Sequence, residues 1–70
     1  MIKTVIKIDG MVCSMCESHI NDVIRRNFDV KKVKSDRKKK ETIIESEQIL
    51  NHDKIKEVIE QTGYTLVSID

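Results

Sequence analysis

Cys13 and Cys16 are the only cysteines of this 70-residue chain, and they stand three positions apart in GMVCSMCESH, residues 10–19. Met11 precedes the pair, Met15 lies inside it and His19 follows it by three. A pair at this spacing admits a disulfide, a redox dithiol, half of a zinc site, or a complete site for a softer ion. Zinc takes four protein ligands in a structural site, or three with an open position in a catalytic one. The chain has no second Cys-Xaa-Xaa-Cys, its only imidazoles are His19 and His52, and Val12 rather than a carboxylate precedes Cys13. A closed zinc site within one chain is therefore not expected. Soft thiolates select soft metals, Cu(I) foremost among cellular ions, and Cu(I) accepts two ligands in a near-linear arrangement. Two purely structural thiols are the plain alternative. That role suits Cys16 in part, but not Cys13 in a polar loop.

The elements that position the pair follow from periodicity. Residues 2–8 alternate, with Ile2, Ile6 and Ile8 on one face and Lys3, Val5 and Lys7 on the other, which predicts a half-buried strand. Asp9-Gly10 opens a loop over 9–13. Ser14 followed by Glu17 matches a capping box, which places a helix start with Ser14 as N-cap. Cys16, Ile20, Val23 and Ile24 form its apolar stripe, and the helix runs to about Arg26 with Asn27 as a left-handed terminator. Cys13 then lies just before the helix and Cys16 in its first turn, where unpaired N–H groups and the helix dipole favour thiolate over thiol. Glu17 and Ser14 compete for those N–H groups and moderate the effect.

Two strands are predicted at 30–36 and 41–47, around a basic turn that lacks Gly. A second helix begins near Asn51 as N-cap, buries Ile55, Val58 and Ile59, and is capped by Gly63. Residues 64–69 close the chain as a strand. The order is βαββαβ in one domain, residues 1–70, with a four-stranded antiparallel sheet and both helices on one face.

The chain has 39% apolar and 36% charged residues, no proline or tryptophan, and only Phe28 and Tyr64 as aromatics, so isoleucine and valine must supply the core. Two cysteines do not make the disulfide framework of a small secreted domain. MIKTVIKIDG alternates and has no apolar signal-like region, and no stretch is long enough to span a bilayer. The expected compartment is the cytoplasm. Residues 1–40 carry eleven Lys/Arg against five Asp/Glu, and residues 41–70 carry two against seven. The basic stretch KKVKSDRKKK, residues 31–40, reads first as a solvated hairpin. Nucleic-acid binding is not expected, since no stacking aromatics interleave the charges. Docking to an acidic protein lies between those readings.

With these elements in place, GMVCSMC resembles the GMxCxxC loop of heavy-metal-associated domains, found in copper chaperones and in the N-terminal domains of metal-pumping P-type ATPases. The resemblance covers essentially the whole chain, including the element order, the loop between first strand and first helix, and Gly63-Tyr64 before the last strand. It implies an α+β, ferredoxin-like fold in which Cys13 and Cys16 bind Cu(I) at an exposed loop. Met11 would tuck beneath that loop and hold its shape, and Tyr64 would approach the metal, as in bacterial soluble chaperones. Met15 and His19 then read as exposed neighbours of the site, and His52 as plain surface.

The implied function is a non-enzymatic carrier of one Cu(I). It would pass the ion by ligand exchange to the metal-binding domain of a copper-transporting P-type ATPase or to another copper protein. Such a carrier would be monomeric when metal-free, with a copper-bridged dimer as a further expectation. A mercury or other soft-metal protein and a detached ATPase domain are the alternatives within metal binding. A small thiol–disulfide redox protein is the alternative outside it, although a thioredoxin-like site would show an aromatic-Cys-Gly-Pro-Cys stretch. The chain departs from the family at NFDV, residues 27–30, where Gly-Val is common, and at the strand positions Ser35 and Ser46, which are often apolar.

Overall fold

The computed structural model describes residues 1–12 and 14–69. Its elements are β1 (Ile2–Asp9), α1 (Ser14–Asn27), β2 (Lys32–Asp36), β3 (Glu41–Ser46), α2 (His52–Gln61) and β4 (Thr65–Ile69). The strands form one antiparallel sheet in the order β2-β3-β1-β4, and both helices pack on one face, a ferredoxin-like α+β fold. β1 sits centrally, and its alternation puts Thr4, Ile6 and Ile8 on the buried face.

Seven isoleucines are 0% exposed: Ile6, Ile8 and Ile44 from the sheet, Ile20 and Ile24 from α1, and Ile55 and Ile59 from α2. In a chain this short the loss of any one is serious. A large-to-small change at such a site costs about 2–5 kcal/mol, against a total of about 5–15 kcal/mol for a typical domain.

Buried hydroxyls interrupt this apolar layer, and those of Ser35, Thr42 and Ser46 are hydrogen-bonded. Ser35 Oγ donates to Asn21 Oδ1 at 2.7 Å and lies 2.9 Å from Thr42 Oγ1. Ser46 Oγ donates to the Gln48 carbonyl at 2.7 Å. Ser35 and Ser46, unusual as apolar-position residues, are thus accommodated by hydrogen bonding rather than by exposure.

Two local expectations are corrected, and the Gly-free turn is borne out. Ser14 lies inside α1 rather than at its N-cap, and among the described residues the Glu17 carboxylate bonds Arg37 of the β2–β3 turn rather than a local N–H. Asn27 is not left-handed; its Nδ2 donates to the Val23 carbonyl, and Phe28 N–H closes the helix onto the Ile24 carbonyl. The turn at 37–40 manages without Gly because Asp36 Oδ1 accepts the N–H groups of Lys38 and Lys39, while Lys40 takes the left-handed conformation at φ 56°. Those N–H groups, Lys39 first, and the ammonium groups of Lys39 and Lys34 hold the Asp36 carboxyl below its usual range against the opposing effect of desolvation. Helix α2 follows the sequence reading: Asn51 Oδ1 accepts the Lys54 N–H, and Gly63 follows the helix at φ +94°.

Candidate metal centre

Three connections meet at one end of the sheet: the β1–α1 loop, the β2–β3 turn, and the α2–β4 loop at Gly63-Tyr64. The Ile8 N–H donates to the Lys40 carbonyl at 2.8 Å, which stitches the turn to the last residues of β1. The first loop is built in alternation. Asp9 Oδ1 accepts the Gly10 N–H at 3.1 Å. Gly10 has φ +105°, a conformation that favours glycine, and a Cβ there would lie 3.3 Å from Tyr64 Cδ1, so that the ring would have to shift to admit it. Met11 then drops into the core at 5% exposure, whereas Val12 points out at 80%. Cys13, the first of the two expected ligands, lies outside the described residues.

Cys16 lies in the first turn of α1. It is half-buried and packs against the core, because it heads the stripe that continues through Ile20 and Ile24 at four-residue spacing. The first-turn N–H groups of α1 lack helical partners, and the positive end of the helix dipole favours an anion there. Met15, between the two cysteines in sequence, is 79% exposed. Val12 and Met15 are thus two exposed apolar side chains close in sequence to Cys16.

Tyr64, partly buried against the core, spans the site from the other side. Its ring rests on Gly10 and meets the His19 ring edge-on, with centroids 6.1 Å apart and planes at 74°. His19 itself is exposed, as is His52 at the start of α2. Among the described residues no group of three or more His, Cys, Asp or Glu side chains is assembled that could hold a metal ion.

Sequence reasoning missed the device that sets the height of α1. Glu17 Oε2 accepts the Arg37 N–H at 2.8 Å, and Oε1 accepts from its guanidinium at 3.3 Å. One helical turn later, Asn21 Oδ1 accepts from Ser35. Residues 17 and 21 of the helix thus meet residues 37 and 35 of the hairpin, which fixes the residue next to Cys16. The available signal was the polar pair Glu17/Asn21 at four-residue spacing beside an apolar stripe.

Comparison with known proteins agrees with this architecture. The profile of the heavy-metal-associated domain matches residues 5–65. Among solved structures, the CopZ metallochaperone superposes with a TM-score of 0.83 at 18% identity, covering 93% of this chain and 98% of that one. The yeast copper transporter domain Ccc2a, determined in apo and Cu(I)-loaded states, gives 0.80 at 26% identity, covering 94% of each chain. The N-terminal domain of ZntA in its Zn(II) form gives 0.81 at 17% identity, covering 93% of this chain and 88% of that one. No curated protein matches the sequence significantly. On the strength of a profile match over most of its length, the chain belongs to the heavy-metal-associated domain family.

Proposed function

We propose that this protein carries one soft metal ion, Cu(I) by preference, between the thiolates of Cys13 and Cys16, and releases it to a partner by ligand exchange. The observation that carries the reading is the position of Cys16, in the first turn of α1 beside a loop whose Met11 is buried and whose Val12 is exposed. Met11 and Tyr64 act there as supports, one below the loop and one against Gly10, rather than as ligands. The helix start stabilises negative charge on sulfur without enclosing the ion. In transfer, an incoming thiolate of the partner adds to the ion, and a sulfur of this chain leaves. A two-sulfur site keeps that route open, since a low coordination number leaves room for the third ligand. Exposed Val12 and Met15 offer apolar contacts to the partner during the encounter.

Solved structures of similar fold include proteins described with copper and with zinc, which makes metal choice the point to test. Anaerobic competition titration with Cu(I), Hg(II) and Zn(II) under reducing conditions should show one tightly held soft ion per chain and much weaker Zn(II). Cys13→Ser and Cys16→Ser should each remove tight binding. Tight binding that survives loss of both cysteines overturns the reading. The partner is the metal-binding domain of a copper-transporting P-type ATPase or another copper protein, and exchange occurs in the cytoplasm. None of the described helices is long and apolar enough to cross a membrane.

A further inference from the structure

The sheet has two edges, and they are built differently. β2 is guarded: Lys32 and Lys34 stand exposed along it, and Asp36 at its end adds a further charge. Lysine on an edge strand discourages pairing with another chain. β4, at the other edge, reads Thr65-Leu66-Val67-Ser68-Ile69 and carries no charge. It lies within residues 61–69, nine in succession without Asp, Glu, Lys or Arg, in a chain where those types make up 36%.

Backbone pairing leaves one side of β4 open. The strand bonds to β1 along one side, and among the described residues no backbone hydrogen bond reaches the other. The N–H and C=O groups along such an edge are a template for one more strand.

The side chains of β4 divide unevenly because the strand carries a β-bulge. Lys7 pairs with Ser68 and Ile8 with Leu66, so Val67 is the extra residue. Leu66 and Ile69 both pack against the core, and Val67 and Ser68 between them are exposed. Val67 stands mid-strand at 65% exposure. A lone exposed valine is ordinary, but this one sits at the centre of an open, uncharged edge.

We infer that β4 pairs edge to edge with β4 of a second copy of this chain, antiparallel about a two-fold axis. The result is one continuous sheet with four strands from each copy. Charge, twist and closure select that occupant. A two-fold sets the strand against itself, and uncharged β4 meets no like charge there, whereas β2 against its own copy brings lysines together. A bulge accentuates the twist of its strand and so discourages an arbitrary partner, but a second copy brings the same twist. β4 on β4 also closes, while β4 on β2 of the next copy would propagate without end.

This pairing stays apart from the metal. β4 begins at the metal end, after Gly63-Tyr64, and runs away from it, antiparallel to β1. An antiparallel copy therefore puts the two cysteine loops at opposite ends of the joined sheet. Both loops stay open, and neither cysteine nor metal takes part. Five residues a side make a contact below the size of a lasting interface, so the dimer has a dissociation constant of roughly 0.1–1 mM. The metal-free monomer implied by the family resemblance then holds at dilution.

The test is sedimentation equilibrium of the reduced, metal-free chain at concentrations spanning that constant. The mass should rise from monomer toward dimer and stop there. Amide exchange at 65–69 should slow as concentration rises, with no change along β2. Val67→Lys and Val67→Glu should each weaken self-association roughly tenfold, and an equal mixture of the two should restore it. Ser68→Lys, at an exposed position of the same strand, should give the same loss and decides the matter if a Val67 variant folds poorly. Lys34→Gln, on the guarded edge, should change nothing. A mass that stays monomeric overturns the proposal, as does association that survives both Val67→Lys and Ser68→Lys. A mixture of the two Val67 variants that fails to associate overturns it as well. Dimers that require added Cu(I), or that vanish in the Cys13→Ser, Cys16→Ser double variant, place the contact at the metal end and also overturn it. Growth beyond the dimer overturns the two-fold.

Discussion

The two helices bury similar stripes of isoleucine, yet they begin in different ways. Helix α2 starts by its own sequence, with Asn51 accepting the Lys54 N–H and Asp53 in its positive first turn. Helix α1 is held from outside, by Glu17 to Arg37 and by Asn21 to Ser35, both across the gap to the middle hairpin. A self-capped helix has its start wherever its sequence puts it. A helix tethered to a neighbour takes its axial position from that neighbour, and here a thiol sits within the tethered turn.

The contrast is open to attack at decreasing levels of effect. Ile20→Ala in α1 and Ile59→Ala in α2 strike what the helices share, and each should cost about 2–5 kcal/mol in urea unfolding. A clearly smaller loss at either site would show that the stripes are not equivalent after all. Asn21→Ala and Asn51→Ala strike what differs. The first leaves the buried Ser35 hydroxyl without its helix partner and should cost about 1–3 kcal/mol. It should also weaken soft-metal binding, because the turn that bears Cys16 is no longer held in place. The second removes a local cap, should cost about 1 kcal/mol, and should leave metal affinity unchanged.

The smallest effect separates the two helices by pH. The Asp36 carboxyl is held below its usual range chiefly by the Lys39 N–H, with Lys38 N–H and nearby ammonium groups adding to it. A carboxyl depressed in the folded state contributes stability that is complete above its unfolded pKa and is lost as pH falls through the folded one. The hairpin that positions α1 should therefore loosen in acid, while the neutral Asn51 cap does not respond. Asp36→Asn should flatten the acid limb of the stability curve, and amide exchange should show the gain at 37–40 rather than in α2.

This difference also marks how far the sequence could be read. β1, α2 and β4 were legible because alternation, an Asn cap and a Gly terminator are local signals. The stripe of α1 was legible for the same reason, and it placed Cys16 in the first turn. The start of α1 was misread because Ser14-Xaa-Xaa-Glu17 satisfies a local pattern, while the partner that wins, Arg37, lies twenty residues away. Ser35 and Ser46 looked like defects because their hydrogen-bond partners belong to other elements. How the Gly-free turn closes could not be foreseen for a related reason: Lys40 accepts a left-handed backbone only because Asp36 and Ile8 fix the residues around it.

The ring of Tyr64 has a practical consequence. The chain has no tryptophan and a single tyrosine, so emission excited beyond the phenylalanine band arises from this ring. Because the ring rests on Gly10 and touches His19, the molecule is its own optical gauge of the loop. Changes at the cysteine end should register as changes in tyrosine emission without any added dye, and a stopped-flow trace of that signal would time loading and release directly.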